Sequence, residues 1–317
     1  MKFPIYASAG IFLTLASFGS ASTAAVAASH GLTAGPPKFY VETGVSQHAP
    51  FKRQNVVRAT ATGAITGTIR CPWSKSVEED VAAADNQRFF ISCIRIAAGP
   101  KPVVTGTRIF RFRVTASGRT TGYSLVPGGV FKGDASGLAA SANGAVLAVA
   151  VGVTAPGPAE TIVINAKTGA RAIWRGGVMP GGAIFEGGKP SLTADGKELA
   201  VFGRAHCPKG SAPGTCKSPG EEMRVVSPAL AGGKLASGRL VFKQSQLTKP
   251  SNGFINGAFI NSDGTTVTAP IVFGAFTRSF VEVLSVSVAT GKPLRTEFKL
   301  NTGNGFFYRF VGADPSG

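Results

Sequence analysis

Few residues in this chain have the types and spacing that chemistry needs. Glu78-Glu79-Asp80 is the one local group of carboxylates. Facing a central channel, such side chains could hold a divalent metal and activate water, as a hydrolase or lactonase-like enzyme requires. As a solvated loop rim they need no function, because adjacent carboxylates repel and stay in water. The three histidines offer less: His30 lies beside the expected leader cleavage site, His48 in a polar loop and His206 before Cys207, and none accompanies a serine or cysteine nucleophile motif. No G-x-S-x-G, H-E-x-x-H or P-loop pattern occurs. His206, Cys207 and Cys216 suit zinc in type but lack a fourth ligand and a recognised spacing, so neither a metal nor another cofactor is expected.

Charge points to binding more than to catalysis. The formal net charge is +17, and of the basic residues only Lys2 falls in the leader described below. Charge this far from zero attracts anions non-specifically and says nothing about fold. Arg108-Ile109-Phe110-Arg111-Phe112-Arg113-Val114 alternates, with Phe110, Phe112 and Val114 on one face and Arg111 and Arg113 on the other. Arg108, Arg111 and Arg113 are candidate contacts for an anionic ligand; the solvated outer face of a half-buried strand would look the same. His206 and Lys209, in an insertion at Ala205–Gly220, are two further candidates, because insertions in repeat folds map to loops that often bind.

The elements that must position these residues are strands. Ser191–Gly203 reads as strand, turn, strand, and Asp195-Gly196 predicts a two-residue hairpin turn of positive φ. The signal recurs at Ala84–Gln87, Ser141–Gly144, Ser262–Gly264 and Asp314–Gly317. A second turn lies between the copies, ending at Gly63, Gly118, Gly169, Gly238 and Gly291. From each second turn to the next first turn is 23, 26, 27, 26 and 26 residues. Two alternating hairpins per unit describe a four-stranded antiparallel blade, so the chain is all-β and a β-propeller is expected. A β-sandwich also has short strands, but it does not require this long-range phase.

The strands expected from apolar and β-branched runs are Phe39–Glu42, Asn55–Thr60, Ala64–Arg70, Arg88–Ile94, Arg108–Val114, Ala145–Val151, Thr161–Asn165, Lys197–Gly203, Met223–Ser227, Thr266–Phe273 and Phe280–Val288. Phe306–Val311 reads as the inner strand of a further blade. Either it pairs with Phe39–Glu42 and closes a ring of five blades, or the chain is truncated before a sixth; a turn with no second strand favours the latter.

Residues 1–27 have the layout of a secretory signal peptide: Lys2, an apolar run from Ile5 to Phe18, then small residues ending Ala25-Val26-Ala27. Residues 28–37 read as a linker and 38–317 as one propeller domain, with no transmembrane segment after the leader is removed. Four cysteines in an exported chain predict two disulfides. Locality pairs Cys71 with Cys93, stapling neighbouring blades, and Cys207 with Cys216, closing the insertion; the other connectivities stay open.

The repeat motifs Val57–Gly63, Ile109–Phe112, Val163–Gly169 and Leu192–Ala200, with Pro37–Val41 at the start, resemble those of secreted actinobacterial propellers of the TolB-like or WD-repeat-like type. The resemblance covers most of the chain beyond the leader and implies export and a propeller. It implies little about activity, since such motifs specify blades and not a reaction. Trp-Asp pairs are lacking, as the only tryptophans are Trp73 and Trp174. The expectation is an exported, non-enzymatic binding or scaffold module for an anionic envelope polymer or a protein partner, with no nucleic acid. The alternative is the metal-dependent hydrolase or lactonase-like enzyme.

Overall fold

The computed structural model describes residues 38–45, 53–85, 87–97, 103–152, 160–175, 184–207, 220–227, 238–247, 253–255, 257–273 and 279–303. The expected leader and linker, Lys209, Cys216 and Phe306–Val311 lie outside the described residues.

The strands form five antiparallel sheets in chain order, the blades of a five-bladed β-propeller. Blade one holds β1 (Phe39–Val45), β2 (Arg53–Ala59) and β3 (Ile65–Ile69). Blade two holds β4 (Val77–Ala83), β5 (Arg88–Ala97), β6 (Val103–Val114) and β7 (Thr120–Phe131). Blade three holds β8 (Asp134–Ala140), β9 (Val146–Gly152), β10 (Glu160–Asn165) and β11 (Arg171–Arg175). Blade four holds β12 (Ile184–Leu192), β13 (Leu199–His206), β14 (Gly220–Val226) and β15 (Arg239–Lys243). In blade five β16 (Gly253–Ile255) and β17 (Phe259–Ile260) share the inner position against β18 (Thr266–Phe273), followed by β19 (Ser279–Ser287) and β20 (Pro293–Gly303). In blade one the Thr62-Gly63 turn joins β2 to β3, as the equivalent turn joins third to fourth strands elsewhere. The three strands β1 to β3 are therefore the second to fourth of their blade.

Alternate residues of a strand face opposite neighbours, so each middle strand is apolar on both sides. Leu147 and Val149 of β9 join Phe90, Ile109 and Phe131 in the cluster between blades two and three. Ala148, between them in sequence, faces Leu199 and Val201 in the cluster between blades three and four. Trp174, 1% exposed, fills the latter seam. Val57 and Ile69 of blade one meet Phe89, Ile91 and Phe112 of blade two, and Met223 and Phe242 of blade four meet Ile255 and Ile271 of blade five. The core is thus a series of interblade seams. Removing a large buried side chain from any seam is expected to cost about 3 to 5 kcal/mol.

The repeated turn is a longer loop than the sequence suggested. Asp195 does not have positive φ; only Gly196 does, at 71°. The hairpin closes with Thr193 N–H on the Glu198 carbonyl at 3.0 Å, enclosing four residues. Asp195 Oδ1 accepts from the Lys197 N–H at 2.9 Å and the Thr193 hydroxyl at 2.8 Å. Ser141 and Asn143 build the same loop, with the Ala145 N–H on Asn143 Oδ1 at 2.9 Å. A side chain that caps its own loop supplies an acceptor that a two-residue turn would not need. These loops interlock: Ala142 N–H donates to Ala194 O at 2.9 Å, and Ala194 N–H to Ser262 O at 3.1 Å.

Candidate functional site

An antiparallel meander puts first-to-second and third-to-fourth turns at one end of every blade. The second-to-third hairpins and the blade-to-blade connections share the other end. The interlocked turns occupy the first end, and the candidate residues divide between the two.

The carboxylate cluster lies within an inner strand, β4, and not on a loop rim ahead of one. The sequence put the cluster ahead of this strand because an inner strand carries few apolar residues to announce it. Glu78 pairs with Cys93 across β4 and β5, and the register shifts between Glu78 and Val81, so Glu79 and Asp80 form a bulge. Glu78 Oε1 accepts the Cys71 N–H at 2.9 Å, which turns its carboxylate toward the connection from blade one. Among the described residues no group of three His, Cys, Asp or Glu side chains is gathered to hold a metal.

The arginine run splits. Regular pairing of β5 with β6 sets Arg111 opposite Phe90 and Arg113 opposite Arg88. Arg111 and Arg113 are exposed on that face, and Arg111 Nε donates to Ser124 Oγ at 2.7 Å. Arg108 sits opposite Cys93 and shares the parity of Phe110 and Phe112, so it points to the other face, toward blade one. It does not belong to a stripe with Arg111 and Arg113.

There Arg108 meets a residue that sequence reasoning passed over. The Trp73 ring lies 4.5 Å from the Arg108 guanidinium carbon and 3.9 Å from that of Arg95. All three side chains are half-buried. The indole packs over Gly106, opposite Arg95, where a Cβ would make an ordinary contact of 3.6 Å with Trp73 Cη2. Cys71 and Cys93 form the expected disulfide, with Cα atoms 5.8 Å apart, joining the end of blade one to β5 of blade two. It anchors the connection two residues before Trp73. Arg95 Nε donates to Ser74 O at 3.2 Å, holding the far side of the same connection. Neither Arg95 nor Arg108 is ion-paired with a carboxylate among the described residues. The signal that could have found this cluster is the parity of β6, which separates Arg108 from Arg111 and Arg113.

The insertion in blade four is shorter than the sequence suggested: β13 runs through Ala205 and His206, and β14 starts at Gly220. Backbone pairing carries both strands past the point where apolar residues stop. His206 pairs with Ile184 at the end of the β12–β13 ladder, and Cys207 is disulfide-bonded. A second basic feature is a groove of about 380 Å³ between blades four and five, with Arg239 and Lys243 on one wall and Val288–Gly291 on the other.

Among the described residues two carboxylates have shifted titration, both in turns. Burial alone would raise Asp195, but the Lys197 N–H and ammonium and the Thr193 hydroxyl hold it below the usual carboxylate range. Asp263 is held low chiefly by the Thr265 hydroxyl and N–H. Both shifts belong to turn architecture.

No family model matches the chain, and no curated protein matches it in sequence. Several solved structures are similar at low identity. TolB from Acinetobacter baumannii is 10% identical over 84% of this chain and 52% of its own, with a TM-score of 0.46. An oligogalacturonate lyase from Vibrio parahaemolyticus is 8% identical over 82% of this chain and 62% of its own, at 0.45. Hydrazine synthase from Kuenenia stuttgartiensis is 13% identical over 88% of this chain and 91% of its own, at 0.42. The chain spans about half the length of the first and under two thirds of the second. Likenesses this distant carry no argument about chemistry.

Proposed function

We propose that this chain is an exported, non-enzymatic propeller that binds an anionic component of the cell envelope through the end of the molecule opposite the interlocked turns. The observation that carries the reading is the Trp73, Arg95 and Arg108 cluster, a pair of guanidiniums with no carboxylate paired to them among the described residues, held by a disulfide. The formal charge of +17, of which the leader's Lys2 supplies one, supports it, since such a field raises the local concentration of polyanions. Export rests on the leader-like residues 1–27 and agrees with the Cys71–Cys93 disulfide, which persists in oxidising compartments. No helix of the described residues is long and apolar enough to cross a membrane.

Co-sedimentation of the mature chain with cell-envelope fractions across a salt series tests this. Binding that weakens steeply as salt rises is the expected result, because exposed charge is screened over about 10 Å at 0.1 M salt. Binding that survives salt would point to a protein partner, and no binding at low salt would sink the reading.

One observation favours a second reading. The bulge at Glu79-Asp80 sits in an inner strand, beside the axis, and bulges there often re-aim functional side chains. A hydrolase or lactonase-like enzyme would use these carboxylates to hold a divalent metal. Metal analysis of purified protein, with melting measured with and without chelator, separates the two. A stoichiometric metal and a chelator-dependent melting temperature would favour the enzyme.

A further inference from the structure

We infer that Trp73, Arg95 and Arg108 form a binding site for the carboxylate groups of an acidic glycan, with the two guanidiniums as the contacting groups. The inference rests on the envelope-binding reading above and names its site and ligand class. Both guanidiniums lie over one indole, at 3.9 and 4.5 Å from its centre. Two like charges converge on that ring, and a bound anion relieves their repulsion. The Arg108 guanidinium makes no hydrogen bond or ion pair within the described residues, and that of Arg95 commits only Nε, to Ser74 O. A guanidinium stacked on an aromatic face keeps its N–H edge for an acceptor.

The backbone that carries the ring is held on both sides. Cys71 is tied to Cys93, and the Ser76 N–H returns to the Trp73 carbonyl at 3.3 Å. The carboxylate on this face, Glu78, already accepts the Cys71 N–H, one strand further in. The forks are therefore preorganised, and binding loses little side-chain freedom.

The chemistry of the ligand follows from the cations and their depth. Both are arginines, whose planar fork matches the two coplanar oxygens of a carboxylate. Trp73, Arg95 and Arg108 are each half-buried, so a flat bilayer cannot meet them, whereas a single polymer strand can. Two forks gathered on one ring can engage more than one carboxylate of such a strand.

The test uses the tryptophan itself. Trp174 is 1% exposed, so a ligand-induced change in fluorescence reports Trp73. Titration with a uronic acid oligomer is expected to give a saturable change, and the same oligomer with its carboxyl groups reduced to alcohols none. Arg95→Gln and Arg108→Gln are each expected to weaken binding about tenfold by calorimetry, as loss of one charged hydrogen-bonded pair implies. Arg108→Lys, which keeps the charge and loses the fork, is expected to weaken binding severalfold at an unchanged melting temperature. Trp73→Phe removes the optical signal. Equal binding by the reduced oligomer, wild-type affinity in the double arginine variant, or an arginine-dependent response confined to glycerol phosphate polymer, anionic vesicles or single-stranded DNA would each overturn the assignment. Envelope co-sedimentation that persists in the double variant would overturn this site and leave the proposed function standing. Its absence in the wild type would overturn both.

Discussion

The two ends of this propeller are built by opposite means. At the turn end, short loops cap themselves with their own Asn, Asp, Ser and Thr side chains and bond to the loop of the next blade. Those capping side chains are spent on architecture. At the other end, the connection from blade one to blade two is held by a covalent bond and by two arginines stacked on an indole. Here donors are left over. The difference teaches where to look for function in a repeat fold: where the repeat is satisfied internally there is nothing to offer a ligand, and where it is interrupted a non-repeating residue such as Trp73 can be placed.

Substituting the turn glycine should break the comparison most severely. Gly196 has φ of 71°, and a Cβ would stand 2.9 Å from Val146 of the preceding blade. Gly196→Val is expected to cost more than about 4 kcal/mol in urea unfolding, from left-handed strain plus overpacking. Gly63 has φ of 68° with nothing described within 4 Å, so Gly63→Ala should cost only about 1 kcal/mol. Similar losses at the two positions would mean that docking of turns on the neighbouring blade is not what the repeat glycine secures.

At the stapled end, replacing both Cys71 and Cys93 by serine should lower stability by about 3 kcal/mol, the loop-entropy value for a closure of 22 residues. It should also expose Trp73 to acrylamide quenching while leaving Trp174 shielded. An unchanged quenching profile would show that the arginines alone hold the ring.

Acid sharpens the contrast. Asp195 and Asp263 are held below the usual carboxylate range, so each stabilises the fold above its unfolded value near about pH 4, and that contribution is lost as pH falls through the folded value. Asp263→Asn should flatten the fall in melting temperature between pH 5 and pH 2. The same steepness in both proteins would remove the turn carboxylate from the account.

The smallest effect is expected at Arg111 and Arg113. Both are exposed on the face opposite Trp73, so Arg111→Gln and Arg113→Gln should each change stability by less than about 0.5 kcal/mol. Their effect on glycan affinity should be well below that of Arg95 or Arg108. Equal effects would mean that net charge, rather than the cluster, governs binding.

Much of this architecture was legible without coordinates. The middle strands β2, β5, β9, β10 and β18 are buried on both faces and read as apolar, β-branched runs. Of the inner and outer strands only β3, expected at Ala64–Arg70, was legible. β4 carries Glu78, Glu79 and Asp80, β12 carries Gly187, Gly188, Lys189 and Pro190, and β7 carries Pro127, Gly128 and Gly129. Such residues have low strand propensity, and these strands form because a neighbouring middle strand offers a row of backbone partners. The 71–93 disulfide was foreseen from proximity in the sequence. The candidate site was not, because its parts are not close in the chain: Trp73, Arg95 and Arg108 come from three segments.

Local pattern by itself determined the blades: apolar runs of strand length, and turns whose Gly, Asp and Asn recur at a nearly constant interval, leave an antiparallel meander as the arrangement that satisfies the backbone. Which face each arginine occupies, and that Arg95 and Arg108 converge on Trp73, was decided only by tertiary structure. Strand register is the physical reason. A side chain changes face with every residue, so the partner of Arg108 depends on pairing Cys93 with it across β5 and β6, and on the disulfide that brings the end of blade one to that point.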